Sequence, residues 1–214
     1  GVWQFDANKL NQRFQDGLRY ATGLKNAVGI TWNQQTNSLF AMAHGRGQFH
    51  DFYPQYYTPQ QSQELPAEAM YEFKKAGDDA GWPYIYYDHK QNKKIVAPEF
   101  GGDGKKTGGE KALDPVVAFP AHMGPNDILF YRGNQFPAKY KNGAFIAFHG
   151  QSAELKKGYL VAFVPFKNGK PNGKWEIFAD NFAGTDLAKP TGPIQHRPCG
   201  LAEGPDGSLY VSDD

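Results

Sequence analysis

The chain carries 214 residues, 40% of them hydrophobic, enough to bury one globular core. Its 23 basic and 22 acidic side chains nearly cancel, so no global field directs it to nucleic acid or an anionic membrane, and no apolar run reaches the length of a membrane span. A single cysteine, Cys199, excludes an internal disulfide, a zinc site built on cysteines and a CxxCH haem attachment.

Taken in order, the elements are mostly short apolar runs bounded by Asn, Asp and Gly. "VGITWN" (28–33) leads through "QQTN" into "SLFAMAHG" (38–45), the pattern of two strands and a turn. "LPAEAMYEFKKAG" (65–77) reads as the one helix. Pro66 suits its first turn, Leu65, Met70 and Phe73 form a short apolar face, and Gly77 sits at its end. In "AGDDAGWPYIYYD" (76–88), Asp78 and Asp79 are expected to organise a turn, and Trp82, Tyr84, Tyr86 and Tyr87 to pack as a rigid aromatic wall. "FGGDGKKTGGEKALDP" (100–115) reads as an exposed, mobile loop.

The second half continues with "NDILFY" (126–131), "GAFIAFHG" (143–150) and "GYLVAFVPF" (158–166). The last runs through the turn "KNGKPNGK" into "WEIFADNF" (175–182). "GLAEGPDGSLYVSDD" (200–214) repeats the plan of the first hairpin. A recurring strand–turn–strand unit with so little helix predicts an all-β fold, a propeller or a sandwich. No linker divides residues 1–214, so they are read as part of one domain. At about 40–50 residues per blade the chain supplies roughly three to five blades, which leads us to expect a piece of a longer propeller.

Four of the six histidines stand at matching places beside apolar strands. His44 and His149 end strands, whereas His122 and His196 precede them. In a propeller such tips converge near the axis and line a polar pocket. His50 and His89 fall in polar stretches and are expected to be solvated. No HxxxH or HExxH spacing occurs, so a zinc site made of histidines alone is not expected. Lys25, Arg46 and Arg197 add positive charge near the same tips, suited to a ligand bearing carboxylates. The turn "AHGRGQ" (43–48) holds Gly45 and Gly47, whose backbone is free to turn carbonyls toward a calcium ion.

Together, "ATGLKNAVGI", "AHGRGQFHDFYP", "ELPAE", "GDDAGWPYIYYD", "FPAHMGPNDILFY", "NGAFIAFHG" and "HRPCGLAEGPDGSLYVSDD" resemble, in that order, the soluble PQQ-dependent sugar dehydrogenases of the sorbosone and pyranose dehydrogenase-like branch. The resemblance implies a six-bladed β-propeller, of which this chain supplies the later blades, with pyrroloquinoline quinone over its central face and calcium beneath it. It implies that Gly45 and Arg46 give calcium their backbone carbonyls, and that Lys25, Asn26, His122, His149 and Arg197 line the cofactor pocket. Lys25 stands where relatives carry arginine, so it keeps the charge without the bidentate fork. Gly47 stands where relatives often carry aspartate.

The resemblance also implies a histidine base upstream of Gly1, oxidation of a sugar C1 hydroxyl, and electron transfer to an external acceptor such as a c-type cytochrome. The implied location is periplasmic or secreted. Two rivals share the propeller. One is a calcium-dependent lactonase-like hydrolase, with Asp78, Asp79, Asp127 and Glu203 as its acidic candidates. The other is a carbohydrate-binding propeller without catalysis.

Overall fold

The computed structural model describes residues 1–150 and 157–214. It is an all-β structure built from consecutive antiparallel sheets. Strands β1 (Val2–Gln4) and β2 (Leu18–Thr22) pair first. Then β3 (Ala27–Asn33), β4 (Ser38–Ala43) and β5 (Glu68–Phe73) form a meander. Two short helices, α1 (Phe49–Phe52) and α2 (Pro59–Glu64), fill the crossover from β4 to β5. Beyond β5, β6 (Asp78–Asp79) returns alongside β2, and β7 (Ile85–Asp88) pairs with β8 (Lys93–Val96) in a separate hairpin. β9 (Val117–Phe119) then completes the first meander on the far side of β5.

The next sheet repeats the plan with β10 (Pro125–Phe130), β11 (Gly143–Phe148), β12 (Leu160–Lys167) and β14 (Glu176–Ala179). The short β13 (Lys170–Pro171) lies in the turn before β14. The chain closes with the hairpin of β15 (Pro198–Glu203) and β16 (Leu209–Asp213). The first strands of successive sheets lie side by side, β10 against both β3 and β15, as the inner strands of propeller blades do.

The segment read as a helix is instead strand β5. Its residues are buried on both faces: Met70 joins Met42, Phe119 and Ile146 on one side, and Ala69, Tyr71 and Phe73 pack with Ala41 and Ala80 on the other. A segment walled in by β4 and β9 satisfies its backbone through two ladders, and that tertiary demand overrides the helix preference of Glu, Ala and Met. The helix signal belongs a few residues earlier. Thr58 accepts the Gln61 N–H at 3.2 Å, the Gln61 side chain accepts the Thr58 N–H at 2.9 Å, and Pro59 takes the first helical position.

The 100–115 segment is largely exposed, as expected, and is anchored at several points. Asp103 accepts the N–H groups of Lys105 and Lys106, Val96 donates to Lys106 O at 2.8 Å, and Leu113 donates to Asp79 O at 2.8 Å. Asp78 and Asp79 do organise their turn, accepting from Lys74, Lys75 and Gly81 N–H groups. Of the aromatic wall, Tyr86 packs with Phe49 and Tyr57, whereas Tyr84 is exposed against Phe100.

Two features fix the spacing between sheets. A Cβ placed on Gly29 of β3 would come 2.7 Å from the Cα of Asp127, so only glycine allows β3 and β10 to approach this closely. On its other side Asp127 bridges to β15, where its carboxylate accepts the Leu201 N–H at 2.7 Å. Replacing Asp127 with Ala leaves that amide unpaired. We expect a loss of about 1–3 kcal/mol in stability, read as a lowered urea midpoint with unchanged slope; an unshifted midpoint contradicts the stitching role.

Candidate functional site

Each of the three hairpins β3–β4, β10–β11 and β15–β16 ends at its open tip in the same main-chain bond. His44 N–H donates to Asn26 O at 2.9 Å, His149 N–H to Gly124 O at 2.8 Å, and Asp214 N–H to Arg197 O at 3.2 Å. The sequence repeat is thus a structural one. His44, His149 and Asp214 are equivalent positions, as are Asn26, Gly124 and Arg197.

Side chains link one tip to the next. The His44 ring donates from Nε2 to Pro125 O, at the start of β10, at 2.8 Å. His149 Nε2 lies 3.1 Å from the Asp214 carboxylate, and Asn126 Nδ2 lies 4.0 Å from Cys199 Sγ. The tips therefore meet in one polar cluster, with Lys25 and His149 both close enough to act electrostatically on His44. Burial pushes His44 below the ordinary histidine value, and the positive charge of Lys25 pushes the same way. Among the described residues, neither Lys25 nor Arg197 has a carboxylate partner within 4 Å. The Arg197 guanidinium lies 5.7 Å from the centre of the Tyr159 ring.

A cleft beside this cluster is lined by Gly23, Lys25, His44, Gly45, Trp82 and Tyr87, among others. At its edge the 44–47 turn rests on Glu68, the first residue of β5. Glu68 is fully buried, and its carboxylate accepts the Gly45 N–H at 2.9 Å. Its second oxygen has no hydrogen-bond partner among the described residues. Burial pushes its pKa up to about 7, against the pull of the Gly45, Gly124 and His122 N–H groups and of Lys25. Neither the Gly45 nor the Arg46 carbonyl accepts a hydrogen bond from a described residue. Two open carbonyl oxygens beside a buried carboxylate with an unpaired oxygen form a donor set suited to a hard divalent cation such as calcium.

Several predicted site residues face elsewhere. The Arg46 guanidinium is engaged by Glu99 and lies over the Phe49 and Tyr53 rings, so it leaves only its backbone to the cleft. The His122 ring, next to Gly47, donates from Nε2 to Ser62 O at 3.0 Å and so ties the start of β10 to α2. His196 pairs with Asp213 at the exposed rim. The acidic candidates for a hydrolase are already committed to backbone N–H groups: Asp78 and Asp79 in their turn, Asp127 to Ile128 and Leu201, and Glu203 to Arg132. Sequence reading passed over Glu68, Asn126 and Asp214. For Asp214 the signal was present, because it falls where His44 and His149 fall in their own hairpins.

Sheets joined at their inner strands, with a polar hub at one end, define a propeller-type all-β protein. The TrAA12-like family model matches residues 2–214, and the chain belongs to that family. An uncharacterized protein of Borreliella burgdorferi is 24% identical over 196 residues, which are 91% of this chain and 45% of that protein. Among solved structures, the calcium structure of Trichoderma reesei Carbohydrate-Active Enzymes Family AA12 superposes with a TM-score of 0.66 at 20% identity, covering 91% of this chain and 50% of that one. The holo form of the pyranose dehydrogenase PQQ domain from Coprinopsis cinerea gives 0.66 at 22% identity, with 94% and 54% covered. The apo form of the soluble aldose sugar dehydrogenase of Escherichia coli gives 0.58 at 16% identity, with 98% and 47% covered. The chain spans about half the length of these relatives. Among the described residues, no helix is long and apolar enough to cross a membrane.

The two histidines expected in solvent are both partly buried. His50 donates from Nδ1 to Tyr57 O at 2.7 Å, and His89 is partly buried with its Nδ1 unpartnered among the described residues. Burial lowers the His89 pKa from its ordinary value of 6.5. The unfolded chain then binds the proton more readily than the native one, so this contribution to stability is present above pH 6.5 and is lost as the pH falls below it. We expect His89→Gln to lose less stability than the parent between pH about 7.5 and about 5.5, measured by denaturant unfolding at both pH values. An equal loss in the two proteins contradicts this.

Proposed function

We propose that the protein is a quinoprotein sugar dehydrogenase on a six-bladed propeller, with residues 1–214 forming part of that single domain. In this reading it uses PQQ and calcium to oxidise the C1 hydroxyl of an aldose or related sugar. The observation that carries the proposal is the hub itself: Lys25 and Arg197, without carboxylate partners among the described residues, flank His44 and His149 beside an open carbonyl pair. Membership of the TrAA12-like family supports it, as does the likeness to the pyranose dehydrogenase PQQ domain and the AA12 calcium structure.

When bound, PQQ would supply a two-electron acceptor for oxidation of the sugar and calcium would supply a Lewis acid. The residues of this chain do the holding. The Gly45 and Arg46 carbonyls, in a turn that Glu68 holds at the Gly45 N–H, would be the ligands for calcium. Lys25 and Arg197 pair with cofactor carboxylates, Lys25 as a point charge and Arg197 through its planar fork. Asn26 and His149 line the same pocket. His122 supports its wall by fixing the loop before β10 to α2. His44, held in the neutral form by burial, adds no repulsion to a cation seated beside it. The base that accepts the hydroxyl proton is assigned to a histidine outside these sheets. The electrons pass to an external acceptor, for which a c-type cytochrome is suited, and the location is periplasmic or secreted.

The test is reconstitution with PQQ and calcium, followed by dye reduction with a panel of aldoses. Sugar-dependent reduction of the dye is expected. Reduction at background, with hydrolysis of lactones instead, installs the hydrolase. Arg197→Ala is expected to weaken PQQ binding by about 1.5–3 kcal/mol, the scale of a lost charge-assisted hydrogen bond, in a titration followed by fluorescence quenching. Equal affinity in the two proteins removes Arg197 from the site.

A further inference from the structure

Where the second meander meets the last hairpin, His149 ends β11, Cys199 lies in β15 and Asp214 follows β16. An imidazole nitrogen, a sulfur and a carboxylate oxygen from these three residues lie within 4.8 Å of one another. Four-coordinate zinc, with bonds of about 2.0–2.3 Å, sets its ligand atoms roughly 3–4 Å apart. A small inward movement therefore closes this triangle on an ion. The Asp214 side chain lies at the exposed edge of this triangle and that of His149 is more enclosed.

The hydrogen bonding of His149 is the second observation. Its Nδ1 lies 2.8 Å from Gly150 O, and a carbonyl only accepts, so Nδ1 carries the ring proton. The lone pair of Nε2 then faces the Asp214 carboxylate at 3.1 Å. Nε2 and the carboxylate oxygens therefore face one another across the edge of the triangle, where both can turn to one metal ion. A backbone carbonyl that fixes the far nitrogen is also the usual outer partner of a metal-bound histidine. Asp214 is itself anchored through its N–H to Arg197 O, and the Asn126 amide stands beside the sulfur.

We propose that His149, Cys199 and Asp214 form a binding site for a thiophilic divalent cation of the zinc class. The sulfur ligand selects against calcium and magnesium, which take oxygen. Binding displaces the thiol proton of Cys199 to solvent and leaves a thiolate–metal bond. The single cysteine excluded a site made of several thiolates, and the absence of HxxxH spacing argued against one made of histidines. Neither observation bears on a mixed site whose ligands come from residues 149, 199 and 214. This inference does not rest on the sugar dehydrogenase reading, because the ligands belong to the chain with or without a quinone.

The experiment is titration of the full chain with Co²⁺, without added PQQ. One equivalent is expected to bind with an intense near-ultraviolet sulfur-to-cobalt charge-transfer band and visible bands of a four-coordinate site, both abolished by one equivalent of Zn²⁺. Cys199→Ser should lose the charge-transfer band, and His149→Ala should bind at least tenfold more weakly. Cobalt binding without a thiolate band overturns the proposal, as does equal affinity in the parent and both variants. Dye reduction is not measured, so failure here leaves the sugar reading where it stood.

Discussion

His44 to Asn26, His149 to Gly124 and Asp214 to Arg197 are one main-chain hydrogen bond made in three successive sheets. Each closes the open end of a hairpin and so holds the residue before a first strand against the residue after a second. Since the first strands lie side by side, three such closures place six residues from distant parts of the chain around one patch. The chemistry of the patch follows from which side chains occupy those positions, while the closure of each tip is made by the backbone. This is why Asp214 can stand in the place of a histidine without disturbing the arrangement.

Burial then decides the charge states within the patch. His44 and Glu68 are both taken out of water, and both are pushed toward neutrality, the imidazole by losing a proton and the carboxyl by keeping one. Lys25 and Arg197 stand nearby without a carboxylate partner within 4 Å among the described residues. A rim carrying Lys25 and Arg197 suits a ligand with carboxylates better than it suits a neutral sugar alone. The Gly45 N–H donates to Glu68, so the turn that offers the next two carbonyls is held at its start by a buried side chain.

Much of this was legible in the sequence where the pattern was local. The hairpins at 28–45, 126–150 and 200–214 came from alternation and Asn, Asp or Gly turns, and their register is what makes the tips equivalent. The helix assigned to 65–77 failed because periodicity over a short apolar run does not separate a helix from a strand buried on both faces. The nearby capping box at Thr58 was the stronger local signal. Side-chain directions were not legible at all. Arg46 and His122 sit at the right places along the chain, yet Glu99 and Ser62 turn them aside. Glu68 carried no warning, since a glutamate after "LPA" reads equally well as a solvated helix residue.

Gly29 carries one more consequence. The β3 and β10 backbones come so near that the smallest side chain on Gly29 would overlap the partner main chain. Because these strands run up to the patch, their separation at mid-length also sets the distance between Asn26 and Gly124 at its mouth. The aperture of the pocket is thus governed from several residues away, by a position that touches no ligand. A methyl group there would act as a spacer, widening the mouth while leaving every polar group of the hub chemically unchanged.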